Sequence, residues 1–297
     1  MQYLIYATLI WSVSFSLIGE YMAGIDSYFA VFARIFLAAL LFLPFTKFKN
    51  VPLKLKLVLM LIGATQIGIM YLFMYHAYHY LSVPEVLLFS VFTPLYVTLA
   101  YDALSRKFNP LYLISAAIAV LGAYIIRYRS ISEGYILGFI LMQCANIVFA
   151  FGQCGYKYAM EKFPKYRDKQ LEVFGYFHFG AFFITGIAFL CFGNFAHTAT
   201  TPIQKAVLIW LGFAVSGAGY LLWNKGATKV DSGVLGIMNN ALIPAGLIVN
   251  ILFWNKIGNY ATFLSGTAVL VFSMWLHYKI MNRGRAAKNE SLNQFEK

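Results

Sequence analysis

The sequence predicts an all-α integral membrane protein of ten transmembrane helices, arranged as two inverted five-helix repeats. Three observations predict it. Apolar residues make up 61% of the chain and charged residues 11%. The apolar runs are each long enough to cross a bilayer and end at Pro, Gly or Lys/Arg clusters. Gly, Tyr, Ser and Pro also recur at a constant offset between the two halves. A soluble domain carries about 45–50% apolar and about 25% charged residues, so the excess must face lipid. One span uses about 20 apolar residues. A chain of 297 residues holds ten such spans with little left for a soluble domain, so any function has to sit inside the bundle.

The spans follow in order. Tyr3–Gly19 lacks a positive leader and a small-x-small cleavage site, and it contains Trp11, so it reads as a retained first helix rather than a signal peptide. Tyr28–Phe45, Leu55–Tyr75, Pro84–Tyr101 and Pro110–Ile126 complete the first half. Tyr135–Cys154, Leu171–Phe192, Ala206–Trp223, Gly233–Trp254 and Tyr260–Tyr278 make the second. The corresponding units are 1–130 and 131–281, followed by a polar, disordered cytoplasmic tail at 282–297.

Charge orients the bundle. One set of alternate loops carries Lys47, Lys49, Lys54, Lys56, Arg106 and Lys107, then the cluster from Lys157 to Lys169, and finally Lys225 and Lys229 with the basic tail. The other set carries Arg127, Arg129, Lys205 and Lys256. Cationic loops stay cytoplasmic, so both termini are expected in the cytoplasm of a multi-pass inner-membrane protein, which requires an even number of spans. The net charge of +12 therefore reflects membrane topology and not nucleic-acid binding. Cys144, Cys154 and Cys191 show no paired or CxxC spacing and read as packing residues.

The repeat rests on matched positions. Gly63, Gly68, Tyr71, Ala77, Ser82 and Pro94 correspond to Gly212, Gly217, Tyr220, Ala227, Ser232 and Pro244, at an offset of 149 or 150 residues. Five spans per repeat invert the second copy in the membrane. Two such halves can rock about a central site and open it to each side in turn.

The first helix holds Trp11 and Ser12 with Phe15. The second holds Phe32–Ala33–Arg34 with Leu37–Ala38–Ala39. The fourth holds Thr93–Pro94–Leu95, preceded by the stretch from Ala77 to Ser82. In this order and spacing the pattern resembles the drug/metabolite transporter superfamily, in its ten-helix EamA-type branch, over nearly the whole chain. The strings WSVSFSLIGEYMAG, FTPLYVTLAYD, GYKYAMEK and VDSGVLGIMNN look like those of biotin carriers in that family. This nearer resemblance implies a single-component secondary carrier importing biotin by alternating access. Nothing in composition or periodicity shows biotin. Within the family the alternative is an exporter of amino acids, amines or other small metabolites.

Polar groups inside a bilayer need partners or a wet cavity, which makes them the candidate site residues. Arg34 lies inside the second helix; it either holds a substrate carboxylate or bonds backbone carbonyls and fixes the helix. Glu85 follows Pro84 at the start of the fourth helix, where a carboxylate serves as a cap favoured by the dipole; the alternative is proton coupling. Asn239 and Asn240 precede Pro244 by one turn. Pro244 removes a backbone hydrogen bond and is expected to loosen the helix there. The amides offer donor and acceptor to a cyclic urea, or else hold helices together. Adjacent helical positions differ by about 100°, so only one of the pair can face a given cavity. Gln143, Asn146 and Gln153 share a face of the sixth helix, either a cavity wall or a packing seam. His178 mid-way along the seventh is either a proton carrier or a neutral, satisfied imidazole. Trp11, Tyr71, Tyr75, Tyr220 and Trp223 are expected to supply aromatic walls.

Other classes find no support. There is no GxSxG, HExxH, Walker sequence or paired intramembrane aspartate, so the chain is not read as an enzyme or an ATPase. His76 and His79 are three apart without a third ligand, so no metal and no cofactor are expected. The expected partners are a small-molecule substrate and the lipid bilayer, and a homodimer is left open.

Overall fold

The computed structural model describes residues 1–105, 133–230 and 232–254, with isolated helical positions within 118–121 and 264–282. All regular structure among them is helical. We number eight membrane-length elements. They are α1 (Gln2–Tyr21), α2 (Ser27–Phe42), α3 (Leu53–Ala77), α4 (83–105), α5 (Glu133–Lys162), α6 (Gln170–Phe192), α7 (Pro202–Ala227) and α8 (Ser232–Trp254). They match the first four and the sixth to ninth expected spans. The fifth and tenth, the division near residue 130 and the tail beyond 282 lie outside the described residues but for isolated positions.

Local chemistry sets the ends. Asp26 caps α2 by accepting from the Phe29 N–H at 2.8 Å. Thr201 and Gln204 form a reciprocal capping box at the start of α7, with Pro202 in the first turn where its missing N–H costs nothing. A 3-10 turn at Leu43–Phe45 extends α2 to the expected end at Phe45, while α5 runs eight residues beyond the expected Cys154.

The core is largely apolar, but burial departs from that of a soluble protein at both extremes. Leu61, Leu190, Leu252 and Phe253 are 66–73% exposed, whereas Arg34, Gln66, Gln153, His178 and Asn224 have no exposure at all. Large apolar side chains facing outward and polar ones packed inward are what a lipid surround demands. Seven described helices are long and apolar enough to cross a membrane, and α8 adds the apolar stretch Met238–Trp254.

Packing follows a two-fold rule. α1 packs on α8 and α7, and α5 packs on α4 and α3. α2 packs on α7, as α6 packs on α3; α2 meets α6, and α4 meets α8. Exchanging α1–α4 with α5–α8 maps this set of neighbours onto itself, as two copies of one unit require. The glycines reciprocate as well. A Cβ on Gly63 would lie 1.7 Å from the Phe177 carbonyl oxygen on α6, and one on Gly212 would lie 2.6 Å from Leu37 Cβ on α2. Each glycine lets its helix press against the other half.

The same glycines mark an irregularity. α3 opens into a π-helical segment at Ala64–Ile69, and α7 does so at Leu211–Gly219. The loosening expected at Pro244 is not where the helices depart from α geometry: α8 remains α-helical through Pro244. π segments widen a helix locally and commonly sit at functional sites. Here they are a repeat-matched pair flanking the centre of the bundle.

Loops join at two ends. At one, Tyr166 donates to the Asn50 carbonyl at 2.9 Å, the Lys47 N–H to the Glu172 carbonyl at 2.8 Å, and Arg167 to the Thr228 carbonyl at 3.1 Å. Lys47, Lys49, Lys165, Lys169 and Lys229 lie here, so we call it the basic end. At the opposite end the Asp26 N–H donates to the His197 carbonyl at 2.8 Å, and Ser27 meets His79 at 2.9 Å.

Candidate substrate cavity

A cavity of about 70 Å³ lies in the middle of the bundle, walled by α1, α3, α4, α5, α7 and α8. This holds a few waters and is well below the roughly 300–1,000 Å³ of a filled small-molecule site, so the conformation is a narrow one. Three methionines, Met70, Met74 and Met142, line it. Their flexible side chains can make room by changing rotamer.

Its aromatic wall is built around Trp11. The indole lies 4.7 Å from the Tyr220 ring, 4.9 Å from Trp223 and 6.0 Å from Phe149, between centroids. Trp11 Nε1 donates to the Val215 carbonyl at 3.1 Å, inside the π segment of α7. A Cβ on Gly219 would fall 2.5 Å from that nitrogen. Glycine at 219 therefore admits the indole, and the indole fixes the wall.

Two amides contribute the polar part. Asn239 lines the cavity; its Nδ2 donates to the Leu235 carbonyl at 2.8 Å and to Gln153 Oε1 at 3.2 Å, leaving Oδ1 to accept. Asn146 also lines it, donating to the Phe89 carbonyl at 2.8 Å and accepting from Thr93 Oγ1 at 3.3 Å. Gln143 joins Asn146 at 3.3 Å and accepts from Tyr96 at 3.2 Å. The polar stripe of α5 is thus cavity wall at Asn146 and packing seam on either side of it.

Arg34 does not line the cavity. It is fully buried one layer behind, where Nε donates to Ser216 Oγ at 2.8 Å, Nη1 to the Tyr75 hydroxyl at 3.0 Å and Nη2 to the Tyr71 hydroxyl at 3.0 Å. A longer contact of 3.4 Å reaches the Leu211 carbonyl. The guanidinium also sits 3.8 Å from the Tyr71 ring centroid. Among the described residues no carboxylate meets it. Tyr71 lines the cavity, so one phenol separates the cavity from a buried cation without a counter-charge.

The other expected residues fall elsewhere. Asn240 is buried away from the cavity, and its Oδ1 has no partner among the described residues; of the pair, Asn239 faces inward. Glu85 Oε2 accepts from both the N–H and the hydroxyl of Ser82 at 2.8 Å, the geometry of a helix cap. His178 lies between the Ser216 carbonyl at 2.9 Å and the Phe174 carbonyl at 3.4 Å, stacked on Phe42 at 4.8 Å. No group of three or more metal-ligating side chains occurs among the described residues. Sequence reasoning passed over Asn224, although it stands 149 residues after Tyr75, the offset of the repeat.

Comparison with known proteins agrees with this architecture. Residues 1–128 match the EamA-like transporter family. A protein of Salmonella typhimurium named biotin transporter is 47% identical over 94% of this chain and 93% of its own length. One of Escherichia coli K12 with the same name has the same identity and coverage. A probable biotin transporter of Pseudomonas aeruginosa is 45% identical over 93% of this chain and 97% of its own. A solved crystal structure, 13% identical, superposes with a TM-score of 0.66 over 95% of this chain and 97% of that one, a likeness of fold. With a central cavity between two matched sets of helices, and relatives this similar over nearly its whole length, the chain belongs to the EamA-like transporter family.

Proposed function

We propose that the chain is a secondary carrier that imports biotin across the bacterial inner membrane, exposing its central cavity to each side in turn, with both termini cytoplasmic. The single observation that carries this reading is the buried Arg34, without a counter-charge among the described residues, held against the wall of an aromatic and amide-lined cavity. Biotin pairs a carboxylate tail with a compact bicyclic head bearing a cyclic urea and a thioether. Each part has a chemical match. Tyr71 accepts an N–H from Arg34 and so presents a polarised O–H, suited to donate to a carboxylate. Asn239 Oδ1 suits a urea N–H, and Asn146 adds a second amide. Trp11, Tyr220 and Trp223 suit the apolar faces and sulfur of the rings. The relatives named as biotin transporters support the substrate, and the two-fold packing supports alternating access. A buried cation that meets no carboxylate among the described residues, beside the cavity, favours an acid over an amine as solute.

The test is radiolabelled biotin uptake at low nanomolar concentration in a biotin-requiring strain that lacks its own carrier, with and without the chain. Saturable uptake blocked by unlabelled biotin is the expected result. Absence of uptake, with the protein confirmed in the membrane, removes biotin as the substrate.

A further inference from the structure

A second polar cluster lies beyond the cavity, on the side of the basic end. Gln66 from α3, Gln153 from α5 and Asn224 from α7 have no exposure at all. Gln66 Nε2 donates to Asn224 Oδ1 at 3.0 Å, while Gln66 Oε1 and Asn224 Nδ2 have no partner among the described residues. Exchanging oxygen and nitrogen in both amides leaves one donor and one acceptor over in the same way. Gln153 Oε1 accepts from Trp223 Nε1 at 3.1 Å and Asn239 Nδ2 at 3.2 Å, which fixes its orientation, and its Nε2 is buried and without a partner among the described residues. The three belong together: Gln66 packs so closely on α5 that a Cβ on Gly152 would lie 2.3 Å from Gln66 Cβ.

The cluster is continuous with the cavity. Trp223 and Asn239 line the cavity, and both bond Gln153. Asn224 follows Trp223 directly, and one turn further on Thr228 bonds Gln170 at 3.2 Å, which accepts from Tyr156 at 3.1 Å. Polar groups thus run from the cavity floor to the basic end. A buried amide without a partner bears its full desolvation cost, and an apolar seam would close the bundle more cheaply. Unspent donors and acceptors from three helices, joined to the cavity wall through Trp223 and Asn239, fit a seam that takes a polar ligand in another arrangement of the same helices.

We propose that Gln66, Gln153 and Asn224 form a second, neutral subsite for the urea-type group of the solute, entered when Trp223 moves aside and lying on the route to the basic end. The proposal rests on the biotin reading for the identity of that group. Two π segments adjoin it: Gln66 lies within that of α3, and Trp223 and Asn224 follow that of α7. The helices that carry the subsite are the ones already widened.

The test uses the full chain carrying Gln66→Leu together with Asn224→Leu, purified in detergent for biotin binding and expressed in cells for uptake. We expect binding to change by less than about twofold and the maximal uptake rate to fall at least about tenfold. The exchanged pair Gln66→Asn with Asn224→Gln should recover a substantial part of the rate. Wild-type uptake by the leucine pair refutes the subsite, as does a loss of uptake matched by equal losses of binding and melting temperature. A second measurement stands if the leucine pair does not fold. Asn224→Cys, with Cys144→Ala, Cys154→Ala and Cys191→Ala, should react with an impermeant thiol reagent applied from the basic-end side, and biotin should change the rate. No reaction under any condition refutes the route. A wild-type chain that does not move biotin refutes the substrate instead, and thiol access without biotin still reports on the route.

Discussion

Replacing Arg34 by Met separates a recognition role from a structural one. The guanidinium makes three bonds of 2.8–3.0 Å to hydroxyls and lies over Tyr71. Charge-assisted bonds are each worth about 1.5–3 kcal/mol, and the ring contact adds about 0.5–2 kcal/mol. Against this stands the several kcal/mol needed to dehydrate a buried cation. Methionine fills the space without that cost, with the loss of the three hydroxyls' bonds to the guanidinium. The net change in stability is expected to lie within about 2 kcal/mol, and the variant folds. Binding responds differently. An acid deprived of a buried counter-charge loses about 2 kcal/mol or more, about 30-fold or more in Kd. The uncharged amide of biotin has no charge to lose, so its weaker binding should be unchanged within about threefold. Titrating both ligands against purified wild type and variant, followed by the fluorescence of the cavity tryptophans, measures all four constants. If biotin and its amide weaken together, or neither does, Arg34 is a structural residue and the carboxylate assignment fails.

Four further outcomes follow from the geometry. Asn239→Leu should weaken biotin uptake about tenfold, since it removes a cavity acceptor worth about 1.5 kcal/mol, whereas Asn240→Leu should transport normally; similar behaviour of both variants in the uptake assay contradicts the assignment. Gly219→Ala forces Trp11 out of place, because its Cβ would lie 2.5 Å from the indole nitrogen, and should cost about 1–3 kcal/mol with a shift in tryptophan emission; unaltered emission and melting would show the wall adapts. Glu85→Gln keeps a cap acceptor toward Ser82 and should leave the pH profile of uptake unmoved, while a displaced profile would restore a proton-coupling role. Partial burial, and then the neighbouring His76, hold the His79 imidazole below its ordinary value near 6.5, with Asp26 opposing. The folded protein therefore prefers the neutral ring, so stability falls slightly as the pH drops through 6.5 toward the lower folded value. Melting between pH 7.5 and 5 should show this loss in the wild type and less of it in His79→Gln.

Much of the fold was legible because crossing a bilayer imposes a length and a polarity on every span. The expected Leu55–Tyr75 and Leu171–Phe192 differ from α3 and α6 only by a few residues at the ends. The glycine offset exposed the repeat because close helix crossings tolerate no side chain, and Gly63 and Gly212 occupy such crossings. Trp11, Tyr71, Asn146, Tyr220 and Asn239 were readable as cavity residues, since rings and amides in hydrocarbon require a reason to be there.

The sequence by itself determined which segments cross, which residues are out of place in lipid, and that the halves match. Only the tertiary structure decided how each helix is turned about its axis. That rotation puts Asn239 and not Asn240 in the cavity, brings Ser216 to Arg34 across 182 positions of sequence, and joins Gln66 to Asn224 across 158. The π segments of α3 and α7 lay equally beyond reach. The physical reason is that helical periodicity fixes the angles between residues on one helix, whereas the direction each face points is set by the neighbours it packs against.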